Sequence, residues 1–208
     1  MDNTLIRGDT TELQCILALQ ERGYYCSIPF SGSCRYDVVA DINNHLYRIQ
    51  CKSSSVSTRD SGVIQFSTCR STTNTKETIR YSYSKEEIDY FYTYWKGNHF
   101  LIPVEETSQT TKSLRLKTPK QGIQSQMSIA YDYLMDNIIK SIISGNPIEK
   151  YAENCIISID NNGEKKLWSL LELSQKFEER QIRYIKECAA KQKMGYSKHW
   201  YFKEFPEL

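Results

Sequence analysis

Four side chains near the start of the chain have types suited to one chemistry: Glu12, Asp37, Gln50 and Lys52. Two carboxylates and an amide oxygen are hard oxygen donors, the ligand type that suits Mg²⁺ or Mn²⁺. A lysine beside them can hold or deprotonate a water and offset developing negative charge. A divalent ion can activate that water and neutralise charge on a phosphoryl group. These parts suffice for hydrolysis of a phosphodiester. On spacing alone, an ordinary half-exposed hairpin with surface charges is the simpler account of the same residues.

The elements that must bring them together are a hairpin and a helix. Residues 36–52, YDVVADINNHLYRIQCK, alternate as a β-hairpin. Tyr47, Ile49 and Cys51 share one face of the second strand, and Leu46, Arg48, Gln50 and Lys52 share the other. Asp37, Val39 and Asp41 share a face of the first strand, so Asp37 can face Gln50 and Lys52. Asn43-Asn44 supplies the turn, because Asn tolerates the left-handed conformation. Upstream, a helix capped by Asp9 or Thr10 runs to about Arg22 and stops at Gly23. Glu12 sits among its apolar residues Leu13, Cys15, Ile16, Leu17 and Leu19. A carboxylate there is costly without a partner. It could equally favour the helix N-terminus and bend out to water.

Further along, residues 24–28 read as a strand ended by Pro29, and FSGSCR (30–35) as a loop containing Arg35. Nearly half of residues 53–84 are Ser or Thr, interspersed with Arg59, Arg70, Lys76 and Arg80. Hydroxyls and arginines are the groups that contact phosphate oxygens, although a solvated surface loop has the same composition. Within that stretch residues 63–69 alternate as a third strand of the sheet. Ser84 and Glu87 form a capping-box pattern, and Ile88, Phe91, Tyr92 and Trp95 predict a helix stopped by Gly97. HFLIPV (99–104) is a short buried strand, reached by a crossover from that helix. Residues 113–116 offer another strand, and 127–144 an amphipathic helix.

Asn161-Asn162-Gly163 marks a turn, after which 167–190 is helical in tendency. Residues 180–203 carry seven Lys/Arg, including Arg180, Arg183, Lys191, Lys193 and Lys198, against one acid, Glu187. That excess of six positive charges is interleaved with Tyr196, Trp200, Tyr201 and Phe202. Such a segment is a candidate DNA contact, or a tail docked by its aromatics. The division expected is a core over 1–145 and a mainly helical basic and aromatic extension over 146–208, for DNA binding or oligomerisation.

The 208 residues suffice for a sizeable core, and the net charge of +2 demands no polyanionic partner for the chain as a whole. Seven scattered cysteines without a CxxC pair, and three histidines without ligand spacing, exclude a zinc ribbon and a disulfide framework. The chain shows no apolar signal core and no run of about 18 apolar residues. The expectation is an intracellular protein without membrane contact.

In order and spacing, residues 8–52 resemble the PD-(D/E)xK nuclease superfamily, which includes restriction enzymes and archaeal Holliday junction resolvases. The matching segments are GDTTEL, GYY, PFSGS, YDVVAD and YRIQCK. Gln50 stands where that pattern has an acid. The RIQxK strand is similar to group I intron-encoded homing endonucleases of the superfamily, which also share the Tyr-rich IDYF segment, IPVEE and LRL. The resemblance covers about residues 4–130. It implies an α/β fold, a restriction-endonuclease-like mixed sheet flanked by helices. It further implies Mg²⁺- or Mn²⁺-dependent cleavage of double-stranded DNA, by a homodimer or homotetramer. Asp37 would be the central metal ligand, joined by Gln50, the Cys51 carbonyl and Glu12, and Lys52 would position the water. Two alternatives stay open. One is a junction resolvase or restriction enzyme, favoured by Ser31–Ser33 and opposed by Gln50. The other is a non-catalytic DNA-binding protein on the same fold.

Overall fold

The computed structural model describes residues 3–73, 77–107, 110–116, 128–147, 156–159, 162, 165–168, 177–178, 180–181, 184–185, 194–195 and 198–202. The chain divides into two compact units, residues 1–114 with 133–148, and residues 115–132 with 149–207.

In the first unit, helix α1 (Asn3–Glu21) is followed by β1 (Tyr25–Ser27), β2 (Val38–Ile42) and β3 (His45–Cys51). The helix begins six residues before the expected cap. It ends as expected: Gly23 takes φ 81°, Tyr24 N–H donates to Leu19 O at 3.0 Å and Gly23 N–H to Gln20 O at 2.9 Å. That pair of bonds is a Schellman motif. Thr11, Cys15, Ala18 and Leu19 are buried, whereas Leu13 and Leu17 face outward. The apolar stripe is therefore narrower than the composition suggests.

The β2–β3 hairpin forms in the expected register, with Val38 opposite Ile49 and Ile42 opposite His45. Asn43 and Asn44 take φ 55° and 61°, the geometry of a type I′ turn. β8 (Tyr90–Trp95) and β9 (Asn98–Pro103) complete a five-stranded sheet in the order β1-β2-β3-β8-β9. β3 and β8 run parallel, with Cys51 beside Tyr92, and every other pair in this sheet is antiparallel.

β8 corrects the helix expected over residues 84–95. A central strand covered on both faces lacks a clear polar alternation, and YFYTYW is all aromatic or β-branched, which favours a strand. The capping bond does form, from Ser84 N–H to Glu87 Oε2 at 3.2 Å, but it closes only a turn. Gly97 ends no helix. With Lys96 it makes the β8–β9 turn, so β9 arrives through a hairpin rather than a crossover. The crossover lies instead between β3 and β8. It carries β4 (Ser55–Val56), β5 (Val63–Ser67), β6 (Cys69–Thr73) and β7 (Thr78–Ser82). β5 does not join the main sheet as expected. It pairs in a small sheet ordered β10-β5-β4 with β10 (Thr111–Arg115), while β6 and β7 pair only with each other.

The main sheet is covered on both faces. Cys15 of α1 meets Cys51, and α2 (Met135–Ser144) packs against β9 and β2. Arg22 bridges the helices through Asp136 at 2.6 and 3.0 Å. α2 is shorter than expected, because Leu134 is extended and bridges Phe100, after a 3-10 turn at Ala130–Tyr133. On the other face Phe91 meets Phe66 of β5, their rings 6.0 Å apart. Arg48 and Asp89 join β3 to the start of β8 through a two-pronged ion pair and mutual backbone bonds.

In the second unit the described residues include a sheet that the reading of a mainly helical extension did not anticipate. β11 (Ile156–Ile159), β12 (Lys165–Trp168), β13 (Met194–Gly195) and β14 (Lys198–Phe202) form an antiparallel sheet ordered β12-β11-β14-β13. Asn162 sits in the turn between β11 and β12. Residues 180–181 and 184–185 are helical, and most of the helix-turn-helix-like stretch 168–190 lies outside the described residues.

Candidate active site

The centre of the site is built by one strand on its neighbour. Asp37 N–H donates to Ile49 O at 2.9 Å and extends the β2–β3 pairing past its regular end. The carboxylate then turns onto β3. Asp37 Oδ2 accepts a hydrogen bond from Cys51 N–H at 2.7 Å and another from Gln50 Nε2. Gln50 is buried and also reaches the Cys51 carbonyl at 3.4 Å. Lys52 N–H donates to Tyr92 O at 2.9 Å, so the parallel pairing with β8 fixes the lysine's backbone.

The Lys52 side chain lies along the face that bears Gln50. Its Nζ is 3.4 Å from the Tyr83 hydroxyl and 5.3 Å from the centre of the Tyr83 ring. That ring is held edge-on by Phe91 at 5.4 Å. A cation over an aromatic face is attracted by the ring quadrupole. Tyr83 is the site residue that motif reading missed. Its sequence signals were its place in an alternating RYSYS run and at the head of the Tyr-rich segment 83–95, neither of which assigned it to the site.

Glu12 projects from α1 close enough to Asp37 and Lys52 to interact electrostatically with both. Burial, then repulsion from Asp37 and Asp9, raises its carboxyl above the ordinary range, and Lys52 opposes this. Burial likewise raises Asp37, against the pull of the Cys51 N–H, Lys52 and Gln50. Lys52 is shifted down by burial, with Asp37 the largest opposing influence. Burial pushes Tyr83 up to about 12, which keeps it a neutral hydroxyl. A half-buried cluster with perturbed acids and a depressed lysine is typical of a site built for chemistry.

The donor set fits a hard divalent cation. Gln50 Nε2 touches both Asp37 and the Cys51 carbonyl, so three oxygen-bearing groups converge there. Turned about its terminal bond, the Gln50 amide presents Oε1 in place of the nitrogen. The described residues contain no cluster of three His, Cys, Asp or Glu, so the set depends on neutral oxygens beside its carboxylates.

The expected DNA-contacting residues are dispersed. Arg35 pairs with Glu87 at 3.1 Å, near Tyr83. Arg59 is exposed beyond β4, and Arg70 and Arg80 are exposed on β6 and β7. Arg180 is exposed in the second unit, and Lys198 lies on β14. Lys76, Arg183, Lys191 and Lys193 fall outside the described residues. The five described cysteines are free thiols, and no described helix is long and apolar enough to cross a membrane.

A mixed sheet with helices on one face, and an acid pinned beside a Gln-Cys-Lys strand end, define a nuclease-type core. The chain belongs to the PD-(D/E)XK endonuclease family, whose pattern matches residues 2–136. Among solved structures it is similar in fold to a bacterial homing endonuclease, I-Ssp6803I. The TM-score is 0.58 at 21% identity, covering 68% of this chain and 97% of that one. A comparison with curated proteins gave no match.

Proposed function

We propose that the protein is a site-specific DNA endonuclease of the homing type that hydrolyses phosphodiester bonds with Mg²⁺ or Mn²⁺. The observation that carries this reading is the clamp of Asp37 by the Gln50 side chain and the Cys51 N–H, with Lys52 next in the strand. Membership of the family and the fold shared with a homing endonuclease support it. Asp37, Gln50, the Cys51 carbonyl and Glu12 would hold the cation, which when bound supplies charge neutralisation at the phosphoryl group and activation of water.

The chain's own groups do the rest. The β3 backbone fixes Asp37, so its free oxygen is aimed before substrate arrives. Lys52, depressed by burial and steadied by Tyr83, holds the attacking water and can take its proton. Glu12, its carboxyl raised, would serve either as the second acidic ligand or, in place of Lys52, as the acceptor of the water's proton. One such site cuts one strand, so duplex cleavage calls for a homodimer or homotetramer. The extension over 146–208 adds DNA contact or an oligomer interface.

One observation favours a second reading. Gln50 shows its amide nitrogen to Asp37 and carries no charge, which suits a DNA-binding protein with this fold and no cleavage. Incubation with Mg²⁺ or Mn²⁺ and supercoiled, branched or linear DNA separates these readings. Cleavage of duplex at a defined site supports the homing type, preference for branched DNA supports a resolvase, and binding without cleavage supports the second reading. Asp37→Asn and Lys52→Ala should each lower cleavage at least 100-fold with binding retained. Activity equal to the parent in either variant removes the site assignment.

A further inference from the structure

The β6–β7 ribbon stands apart from the other sheets of the first unit, and among its described side chains only Cys69 is buried. Its strands pair only with each other, in the register Arg70–Tyr81 and Ser71–Arg80, and all of β7 is exposed. A free two-stranded ribbon is marginal in water by itself, so its place in the fold calls for another reason. Both of its roots lie at the active site. Cys69, which opens β6, is close enough to Lys52 to interact electrostatically with it. Tyr83, which follows β7 directly, touches the Lys52 amine.

The ribbon carries unspent positive charge. Arg70 and Arg80 form no ion pair among the described residues, unlike Arg22, Arg35 and Arg48. Tyr81, beside Arg70, is 44% exposed. Cross-strand partners share a face, so Arg70 and Tyr81 lie on one side of the ribbon and Ser71 and Arg80 on the other. Tyr83 lies two residues beyond Tyr81, so strand alternation turns the Arg70–Tyr81 face toward the side on which Tyr83 meets Lys52.

We propose that this ribbon lies in the major groove of the substrate duplex and reads base edges with its Arg70–Tyr81 face. The inference rests on the nuclease reading and specifies where that nuclease recognises sequence. The dimensions agree: the groove is about 12 Å wide and admits a two-stranded ribbon, whose strands are about 4.8 Å apart. An arginine can bond a guanine edge in two places, and a tyrosine ring can lie against a thymine methyl or a phosphate. The five residues of β7 extend about 17 Å from the active site. At about 3.4 Å per base pair the ribbon spans roughly five base pairs, and the Arg70–Tyr81 pair, next to the Cys69–Ser82 root, is expected to read within about two base pairs of the cut.

The test is a binding selection from randomised duplexes with the full-length Lys52→Ala protein, alone and combined with Arg70→Ala, Tyr81→Ala or Arg80→Ala. All three positions are exposed, so the fold survives, as circular dichroism would verify. The expected result is that Arg70→Ala lowers discrimination about tenfold at one or two base pairs near the predicted distance, with the remaining preferences kept. Arg80→Ala, on the other face, should weaken all sequences alike. A uniform loss for Arg70→Ala, an unchanged preference, or the absence of any selected sequence overturns the proposal. Because the selection needs no cleavage, a catalytically silent parent in the plasmid assay would count against the nuclease reading alone.

Discussion

Asp37 and Glu12 sit close together, and burial holds both carboxyls above their ordinary values of 3.8 and 4.5. An acid whose folded value is raised contributes stability that is fully present below the unfolded value and is lost as pH rises through the folded one. At neutral pH these carboxylates therefore weaken the fold, and a divalent cation held between them would reverse the effect. Asp37→Asn, which keeps an oxygen for the Cys51 N–H, should stabilise the protein at pH 7 by on the order of 1 kcal/mol. In thermal melts the parent should gain from millimolar Mg²⁺ and the variant should not. A variant that melts lower, or responds to Mg²⁺ as the parent does, contradicts the role assigned to Asp37. At this scale the sequence was informative because alternation alone aligned Asp37, Gln50 and Lys52. Tyr83 was not legible, since its contact with Lys52 depends on how 30 intervening residues fold back.

The elements divide in the same way. The β2–β3 hairpin could be read because period-two alternation and the Asn43-Asn44 turn agreed. β8 could not, because a strand covered on both faces shows no polar alternation to reveal its period (its one polar residue, Thr93, is itself buried), and its neighbours Ser84 and Gly97 mimic helix ends. The turn that replaces the expected helix end has a weak point. Lys96 takes φ 45°, a conformation unfavourable for a residue with a long side chain, and Gly97 takes 89°. Lys96→Asn should stabilise the protein by about 0.5–1 kcal/mol, read as a higher urea midpoint at unchanged slope. A lower midpoint would mean that the stacking of Lys96 on Trp95, at 5.6 Å, outweighs the backbone strain.

For the whole molecule, the fold class was legible, and the strand pairing among the described residues of the extension was not. Its basic and aromatic run has the composition of a helix face, yet Lys198–Phe202 pairs as a central strand. Long-range pairing, not local pattern, decided the outcome. Assembly can be tested with mixtures. If two protomers must cooperate, parent protein mixed with excess Lys52→Ala should convert supercoiled plasmid to nicked circles, whereas parent alone yields linear DNA. Linear product at an undiminished rate in the mixture, after allowance for dilution, would show that each protomer cuts both strands itself.

The parallel contact between β3 and β8 also sets an order of events during synthesis. The hairpin bearing Asp37, Gln50 and Lys52 can close as soon as residue 52 leaves the ribosome, since all its contacts are local. The outer edge of β3 has no partner until β8, some forty residues later, has been made. During that interval the strand bearing Gln50 and Lys52 is an open edge able to pair with another nascent chain. The crossover that separates the two strands is rich in serine and threonine, a composition that keeps the waiting segment soluble. The Lys52 amide is the last of the candidate site's backbone donors to find its acceptor, so the site is completed only after the sheet around it has closed.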